Sequence, residues 1–242
     1  MLKVWSLAAA AFLAGVSASF AQSNEIIVTG SRIANYEADI VPVIHLERKA
    51  DFMVVEATVE SDSRDANLRS DEVLKTLEAM ATRADRDARI ELGILRSYET
   101  ADDEIEIVAP FDRSALKADL LAAGRRADTS SASIIVKTPI DATQDTFETA
   151  KSRIDAFLKG VPVAGRALVA DDDEPGLSIV DLGQYREPLL KLLAEDNAAI
   201  KAVFGDDYVV SVSGLEQPVR WRVTGPLDLT LYFPYKSAVS PK

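Results

Sequence analysis

The sequence predicts an α+β fold in which two strand–helix–strand–strand–helix units build an antiparallel-rich sheet and a C-terminal β-meander follows them. Two observations lead to this prediction. Apolar residues recur at helical spacing in three segments, and they alternate with polar residues in most of the segments between. The order of elements from about residue 52 to 127 recurs from about 133 to 205, although residue identity between the two halves is slight.

The first predicted unit follows a short strand at residues 25–30. A hairpin is predicted around Lys49-Ala50-Asp51, because apolar and polar residues alternate on both sides of it. The helix at 64–84 places Val73, Leu77 and Met80 on one face. The predicted elements are, in order, strands at 40–47 and 52–60, the helix at 64–84, strands at 90–94 and 104–108, and a short helix from Asp112 to about Arg126.

The second predicted unit begins with a strand at 133–138. Asp141 and Gln144 resemble a capping box for a helix at 143–159, whose apolar face includes Phe157. Pro188 and Gly205 mark the start and end of a third helix. The remaining predicted elements are strands at 166–170 and 177–181 around an acidic turn, the helix at 187–204, meander strands at 208–212, 219–223 and 229–233, and a mobile tail at 236–242.

Residues 1–21 have the three parts of a cleavable signal peptide. Lys3 supplies the positive charge, residues 4–16 are mostly apolar, and Ser19 and Ala21 are small residues placed correctly for a cut at Ala21/Gln22. The apolar run is shorter than the ~20 residues that a membrane-spanning helix needs. We therefore expect a periplasmic or secreted mature protein with no stable membrane span.

The chain is strongly acidic, with 39 acidic and 27 basic side chains and a net charge of −12, and cleavage would remove one further lysine. Nucleic acids and anionic lipids bind basic faces, so this charge argues against both as partners. The sequence has no cysteine, so the fold depends on its apolar core rather than on disulfides.

Two segments resemble the SIMPL-domain family, exported proteins that include periplasmic immunogenic antigens of Gram-negative bacteria. Ile26-Ile-Val-Thr-Gly30 is similar to the family's opening strand. Ala50-Asp51, the alternating strand to Val59 and the helix with Ala66 and Asn67 are similar to its next segment. The resemblance implies a single α+β domain over residues 22–235 and a non-enzymatic role. It also implies a homo-oligomer, because some members of the family assemble into rings.

A second, local resemblance covers residues 25–33, which are similar to the segment that opens the plugs of TonB-dependent receptors. The chain is too short for the membrane domain of such a receptor. This segment therefore suggests, as an alternative, an accessory protein of an outer-membrane transport system.

Candidate site residues are few. His45 is the one histidine, and a lone histidine without partner ligands is expected to be structural, so no metal or other cofactor is predicted. The acidic loop 171–174 offers carboxylates to calcium, but it lacks EF-hand spacing and reads more simply as a solvated turn, as does 102–104.

Arg220 and Arg222 flank Trp221 in a predicted strand. This stripe suits the binding of an anionic ligand or stacking on a sugar. Alternatively, the two arginines form only the solvent-exposed face of a half-buried strand. Nucleophile-elbow, Walker and dinucleotide motifs are missing from the sequence. The residues thus favour an exported protein that acts by self-assembly or binding over an enzyme with a degenerate acidic site.

Overall fold

The structure is a computed structural model that describes residues 25–28, 42–99, 104–117, 120–124, 126, 128–171 and 174–242. The helices are α1 (Ala66–Ala84), α2 (Phe147–Lys159) and α3 (Arg186–Phe204). The strands are β1 (Glu25–Val28), β2 (His45–Lys49), β3 (Phe52–Ser61), β4 (Glu91–Glu99), β5 (Glu104–Pro110), β6 (Ala122–Ala123), β7 (Ser130–Pro139), β8 (Ala167–Asp171), β9 (Gly176–Val180), β10 (Tyr208–Ser213), β11 (Arg220–Val223), β12 (Asp228–Tyr232) and β13 (Lys236–Pro241). These elements confirm the predicted α+β fold.

The main sheet is built around one long antiparallel pair, β3 and β7, which stay in register from Phe52 opposite Pro139 to Ser61 opposite Ser130. From β7 the sheet continues through β4 and β5 to β1, and β1 pairs in turn with β9, which returns to β3. The pairings therefore close into a ring of antiparallel strands. β1 is the strand that completes it.

The main core lies between this ring and the helices. On β3 the side chains of Met53, Val55, Ala57 and Val59 are fully buried on the face that packs against α1 and α2. α1 contributes its predicted apolar stripe, and Phe157 of α2 is 2% exposed, as its helical spacing predicts. The alternating apolar side chains of the strand thus pack against the apolar faces of the two helices.

The opposite face of the ring holds a smaller apolar cluster, in which Val54, Val108 and Ile135 are buried. Gly93 of β4 lies against this cluster, and a side chain there would collide with the Cγ1 atom of Val108. The interior of the ring is therefore filled by side chains, and the strands approach closely at Gly93.

β2 does not form the predicted hairpin with β3. It pairs instead with β12, and β11, β12 and β2 make a separate three-stranded sheet whose Leu229, Leu231 and Phe233 join the main core. The chain changes sheets at Ala50-Asp51: the N–H of Ala50 donates to Leu227, and the N–H of Asp51 donates to Ser178 of β9. The hairpin prediction is wrong because the two linking residues bond to different sheets.

The predicted meander is also only partly correct. β11 and β12 are antiparallel neighbours, but β10 pairs with β13, so residues 236–241 form a strand where the sequence predicts a mobile tail. β10 and β13, which we call the ribbon, form a two-stranded sheet of their own, and α3 packs against β10.

Two local predictions need correction. The helix expected from Asp112 to Arg126 is, in the described residues, a 3-10 turn at Arg113–Ala115 followed by the short strand β6. Within the described residues of 112–126, the first unit therefore shows no counterpart of α3, the final helix of the second unit.

The capping box of α2 is formed by Thr146 and Thr149, not by Asp141 and Gln144. The backbone N–H of each threonine donates to the side-chain oxygen of the other, at 3.3 Å to Thr146 and 2.9 Å to Thr149. Asp141 instead caps a local turn by accepting the N–H and hydroxyl of Thr143. The helix therefore begins later than predicted.

Candidate functional site

A cleft of about 470 Å³ lies where the chain passes from β2 to β3, between the 140–142 loop and the start of α3. Arg48 is one of its lining residues, and its guanidinium lies 4.8 Å from the centre of the Tyr185 ring and donates to Asp51. Asp51 also accepts the backbone N–H of Val180 at 2.8 Å. These bonds join β2 of one sheet to β9 of the other, so Arg48 and Asp51 help to hold the two sheets together.

Glu72 of α1 is a buried carboxylate, only 6% exposed. Its Oε2 accepts the Ser61 hydroxyl at 2.5 Å and the Ser63 hydroxyl at 2.8 Å. The Ser61 hydroxyl, with help from Ser63, holds the pKa of Glu72 below its ordinary value, although burial opposes this. An ionised carboxylate satisfied by hydroxyl donors ties α1 to the end of β3, and it has no histidine beside it for acid–base chemistry, because the one histidine lies in β2.

The backbone around Glu72 is shaped to fit it. Gly165 has a φ of +56°, and a side chain at that position would collide with the carboxylate. Close by, Arg166 binds Asp62 through both Nε, at 2.6 Å, and Nη2, at 3.0 Å. Glycine is thus required where the 160–166 loop crosses α1.

Asp145 and Arg153 form a second polar cluster, at the start of α2. Arg153 donates to both Asp145 oxygens, at 2.6 and 2.8 Å, and also to the Thr138 hydroxyl and the Pro139 carbonyl oxygen. The hydrogen bond from Arg153 lowers the pKa of Asp145 from 3.8 to about 2. Both charges are paired. The bonds from Arg153 to Thr138 and Pro139 fasten α2 to β7.

Lys137 lies at the mouth of the ring, with only 8% of the residue exposed. Its ammonium nitrogen is 3.1 Å from a Glu91 oxygen and 4.3 Å from the centre of the Phe52 ring. Lys137 therefore forms an ion pair with Glu91 of β4 and a cation–π contact with Phe52 of β3, and both contacts join neighbouring strands.

His45 lies at the first position of β2, half-buried. Its Nδ1 is 2.9 Å from the Pro42 carbonyl oxygen, and its Nε2 is 3.7 Å from Glu47. The strand was predicted at 40–47, but in the described residues it begins at His45. Val43, which precedes it, is 82% exposed. The ring thus bonds within its own turn, as a structural histidine does.

The acidic loop joins two strands that lie end to end along one edge of β3, because β8 pairs with residues 57–61 of β3 and β9 with residues 52–54. Asp171 is 3.8 Å from Lys151, Glu174 is exposed, and Asp172 and Asp173 lie outside the described residues, as do Asp102 and Asp103. Within the described part of the chain, no group of three or more acidic or histidine side chains is arranged to hold a metal ion.

Trp221 and its two neighbouring arginines lie on opposite faces of β11. Trp221 lies opposite Leu231 and packs on the core, whereas Arg220 and Arg222 lie on the other face of the strand. Arg222 donates to the Tyr232 hydroxyl at 3.3 Å. The arginines therefore share the face that the alternation predicts.

Apolar side chains gather on the surface at the end of α3 and on the ribbon. Of the eight large apolar residues that are exposed in the described part of the chain, four lie here, at Val203, Phe204, Val209 and Val239. We call these four residues the C-terminal patch. Phe204 contacts Tyr208 of β10, with ring centres 5.6 Å apart, so the end of α3 packs on the ribbon. Val209 lies opposite Ser240 and Val239 lies opposite Val210, so the two exposed valines lie on opposite faces of the ribbon.

The sequence did not predict the roles of Glu72 and Arg48 or the C-terminal patch. A glutamate or an arginine in an element of mixed polarity gives no signal of burial, because only the tertiary neighbours decide it. For the patch, the available signal was the pair of adjacent apolar residues, Val203 and Phe204, at the end of the third predicted helix.

In the described part of the chain, no helix has the length and apolar content needed to cross a membrane. Comparisons of the chain with protein-family models, with curated proteins and with solved structures find no match. The case for function therefore depends on the chain's own geometry.

Proposed function

We propose that this chain is an exported protein, periplasmic or secreted, that acts without catalysis, through self-assembly or through binding. The observation that carries the proposal is the C-terminal patch. Exposed apolar residues scattered singly are ordinary on protein surfaces, whereas half of the exposed large apolar residues in the described part of this chain are concentrated on the end of α3 and the ribbon. Such a concentration is typical of an interaction surface. Val203, the most exposed of the four residues, is 82% exposed.

The packing of α3 supports the same proposal. This helix has 19 residues, yet its buried side chains are Leu189 and Leu193, both in its first half. A helix is normally stabilised by an apolar face packed along its length. The second half of α3 therefore presents surface that a partner would cover.

Two features of the sequence support export. Residues 1–21 have the pattern of a cleavable signal peptide, and the absence of cysteine makes the fold independent of the redox state of its compartment. The SIMPL-like segments around Gly30 and Ala50-Asp51 agree with both export and assembly.

N-terminal sequencing of the protein recovered from a Gram-negative host tests the export half of the proposal. We expect the mature chain to begin at Gln22, because Ala21 is the small residue before the predicted cut. A chain that keeps Met1 in every cell fraction would contradict it.

Light scattering of residues 22–242 at micromolar concentration tests the assembly half. We expect a mass larger than that of one chain, since covering apolar surface favours association. A mass of one chain at every protein and salt concentration would rule out self-assembly and leave binding to a different partner.

A further inference from the structure

The hydrogen-bond pattern of the ribbon determines which backbone groups β13 presents to solvent. The N–H of Lys242 donates to the carbonyl oxygen of Asp207 at 2.8 Å, so this pair faces inward, toward β10. Backbone direction alternates along a strand. Ser237, Val239 and Pro241 therefore point their backbone groups outward, along the edge of β13 that no other strand of the described residues pairs with, which we call the free edge.

The free edge of β13 is more open than that of β10. Tyr208, Val210 and Val212 of β10 are half-buried beside α3, and the N–H of Tyr208 donates back to Gly205 at 3.4 Å. All six residues of β13 are exposed. Pro241 has no N–H, so the outward donors of this edge are those of Ser237 and Val239.

We propose that β13 pairs antiparallel with β13 of a second copy of this chain, about a two-fold axis that passes beside Val239. This inference rests on the proposed self-assembly. In that register each Val239 N–H donates to the Val239 carbonyl oxygen of the other copy. Each Ser237 N–H donates to the Pro241 carbonyl oxygen of the other copy, so every outward donor is used and Pro241 serves as an acceptor only.

The side chains fit the same register. Val239 lies directly opposite Val210 across the ribbon, so the two share a face. Pairing two copies at Val239 makes a continuous row of valines across both ribbons, with the exposed Val239 side chains adjacent at its centre. A two-fold contact uses the same surface twice, and a strand edge that pairs with itself meets that condition.

Charge favours a second copy over a basic or acidic partner. The chain has a net charge of −12, yet in the two ribbon strands the one charged residue is Lys236. In the proposed register Lys236 lies directly opposite Lys242 of the other copy, which is a like-charge pair that opposes the contact, and Asp207 lies opposite Lys242 across the ribbon. The two ribbon strands contain no acidic residue, so two acidic molecules can approach through this edge.

The test uses residues 22–242 with Val239→Asp and Val239→Lys, each measured by light scattering and analytical ultracentrifugation. Either charge would face its own copy at the two-fold axis, so we expect the mass to fall about twofold, to that of one chain. Mixing the two variants places Asp opposite Lys, and we expect the mass to be restored. Val163→Asp, at an apolar residue that is 51% exposed and outside the C-terminal patch, is the matched control.

The outcomes separate the two proposals. If the wild-type chain is larger than a monomer and Val239→Asp leaves its mass unchanged, the β13 interface is wrong although assembly stands. If the mixture of the two variants stays monomeric, pairing at Val239 is also wrong. If the wild-type chain is a monomer throughout, both self-assembly and this interface are overturned, and a peptide that pairs with the edge becomes the alternative.

Discussion

Single ionised side chains join separate elements of this protein. Arg153 fastens α2 to β7 through its bonds to Thr138 and Pro139. Glu72 fastens α1 to the end of β3, and Asp51 accepts from both Arg48 and Val180 across two sheets. A charge removed from water is stabilising only when it is paired or hydrogen-bonded. The acidity of the chain therefore contributes to stability at these positions.

The Asp145–Arg153 pair predicts a specific pH dependence. The pKa of Asp145 is about 2 in the folded protein, below its ordinary value of 3.8, so the unfolded chain binds the proton first as the pH falls. The pair then contributes about 2 kcal/mol to the free energy of unfolding above about pH 5, and this is lost progressively toward pH 2. Urea unfolding of Asp145→Asn and the wild type at several pH values should show the difference between them shrinking over this range.

Asp128→Asn is the control for this prediction, since the Asp128 side chain is 77% exposed and its nearest Arg126 nitrogen is 3.6 Å away. Its effect on unfolding should stay within about 0.5 kcal/mol from pH 7 to pH 3. A constant difference between Asp145→Asn and the wild type over the same range would show that Asp145 does not titrate as the geometry requires.

At the scale of elements, the positions of the strands were easier to predict than the strands with which they pair. Alternation located β3, β7 and β12 because it reports which face of a strand is buried. It carries no information about which strand lies alongside, so β2 was assigned to β3 instead of β12. Ala50-Asp51 lacks the glycine that tight two-residue hairpins favour, and that was the available signal against the hairpin.

The start of α2 gives a test that distinguishes the two capping boxes. Thr146→Ala removes the side-chain acceptor for the Thr149 N–H, and we expect it to lower the free energy of unfolding by about 1 kcal/mol. Gln144→Ala, at the position that the sequence pattern favours, should change it by less than about 0.5 kcal/mol. Urea unfolding of both variants decides between them, and the reverse order of effects would restore the Asp141–Gln144 box.

At the scale of the whole molecule, the α+β class was predictable and the closed ring was not. The class follows from local periodicity, which each segment carries in its own sequence. The ring depends on β1 pairing with both β5 and β9, and on β8 and β9 lying end to end along β3. Such pairings between distant residues leave no trace in local patterns, and the same holds for the C-terminal patch.

The core between the ring and the helices predicts the cost of losing a large side chain. Phe157 is 2% exposed in the core that α1, α2 and β3 share, so Phe157→Ala should lower the free energy of unfolding by about 3–5 kcal/mol. Phe204→Ala makes the same change at a ring that is 50% exposed, and its cost should stay near 1 kcal/mol. Chemical denaturation followed by circular dichroism measures both, and equal costs would place Phe157 outside the core.

The position of β1 in the ring also has a consequence for when the native state can form. Ile26 lies opposite both Ile107 and Ile179, so the first strand of the fold must wait for partners supplied much later in the chain. Until β9 has been synthesised, β1 can pair only with β5 and the ring stays open. Closing the ring brings together residues that are about 150 positions apart in the chain, which carries an entropic cost. A newly made chain therefore cannot close the ring until residues 176–180 of β9 have been synthesised.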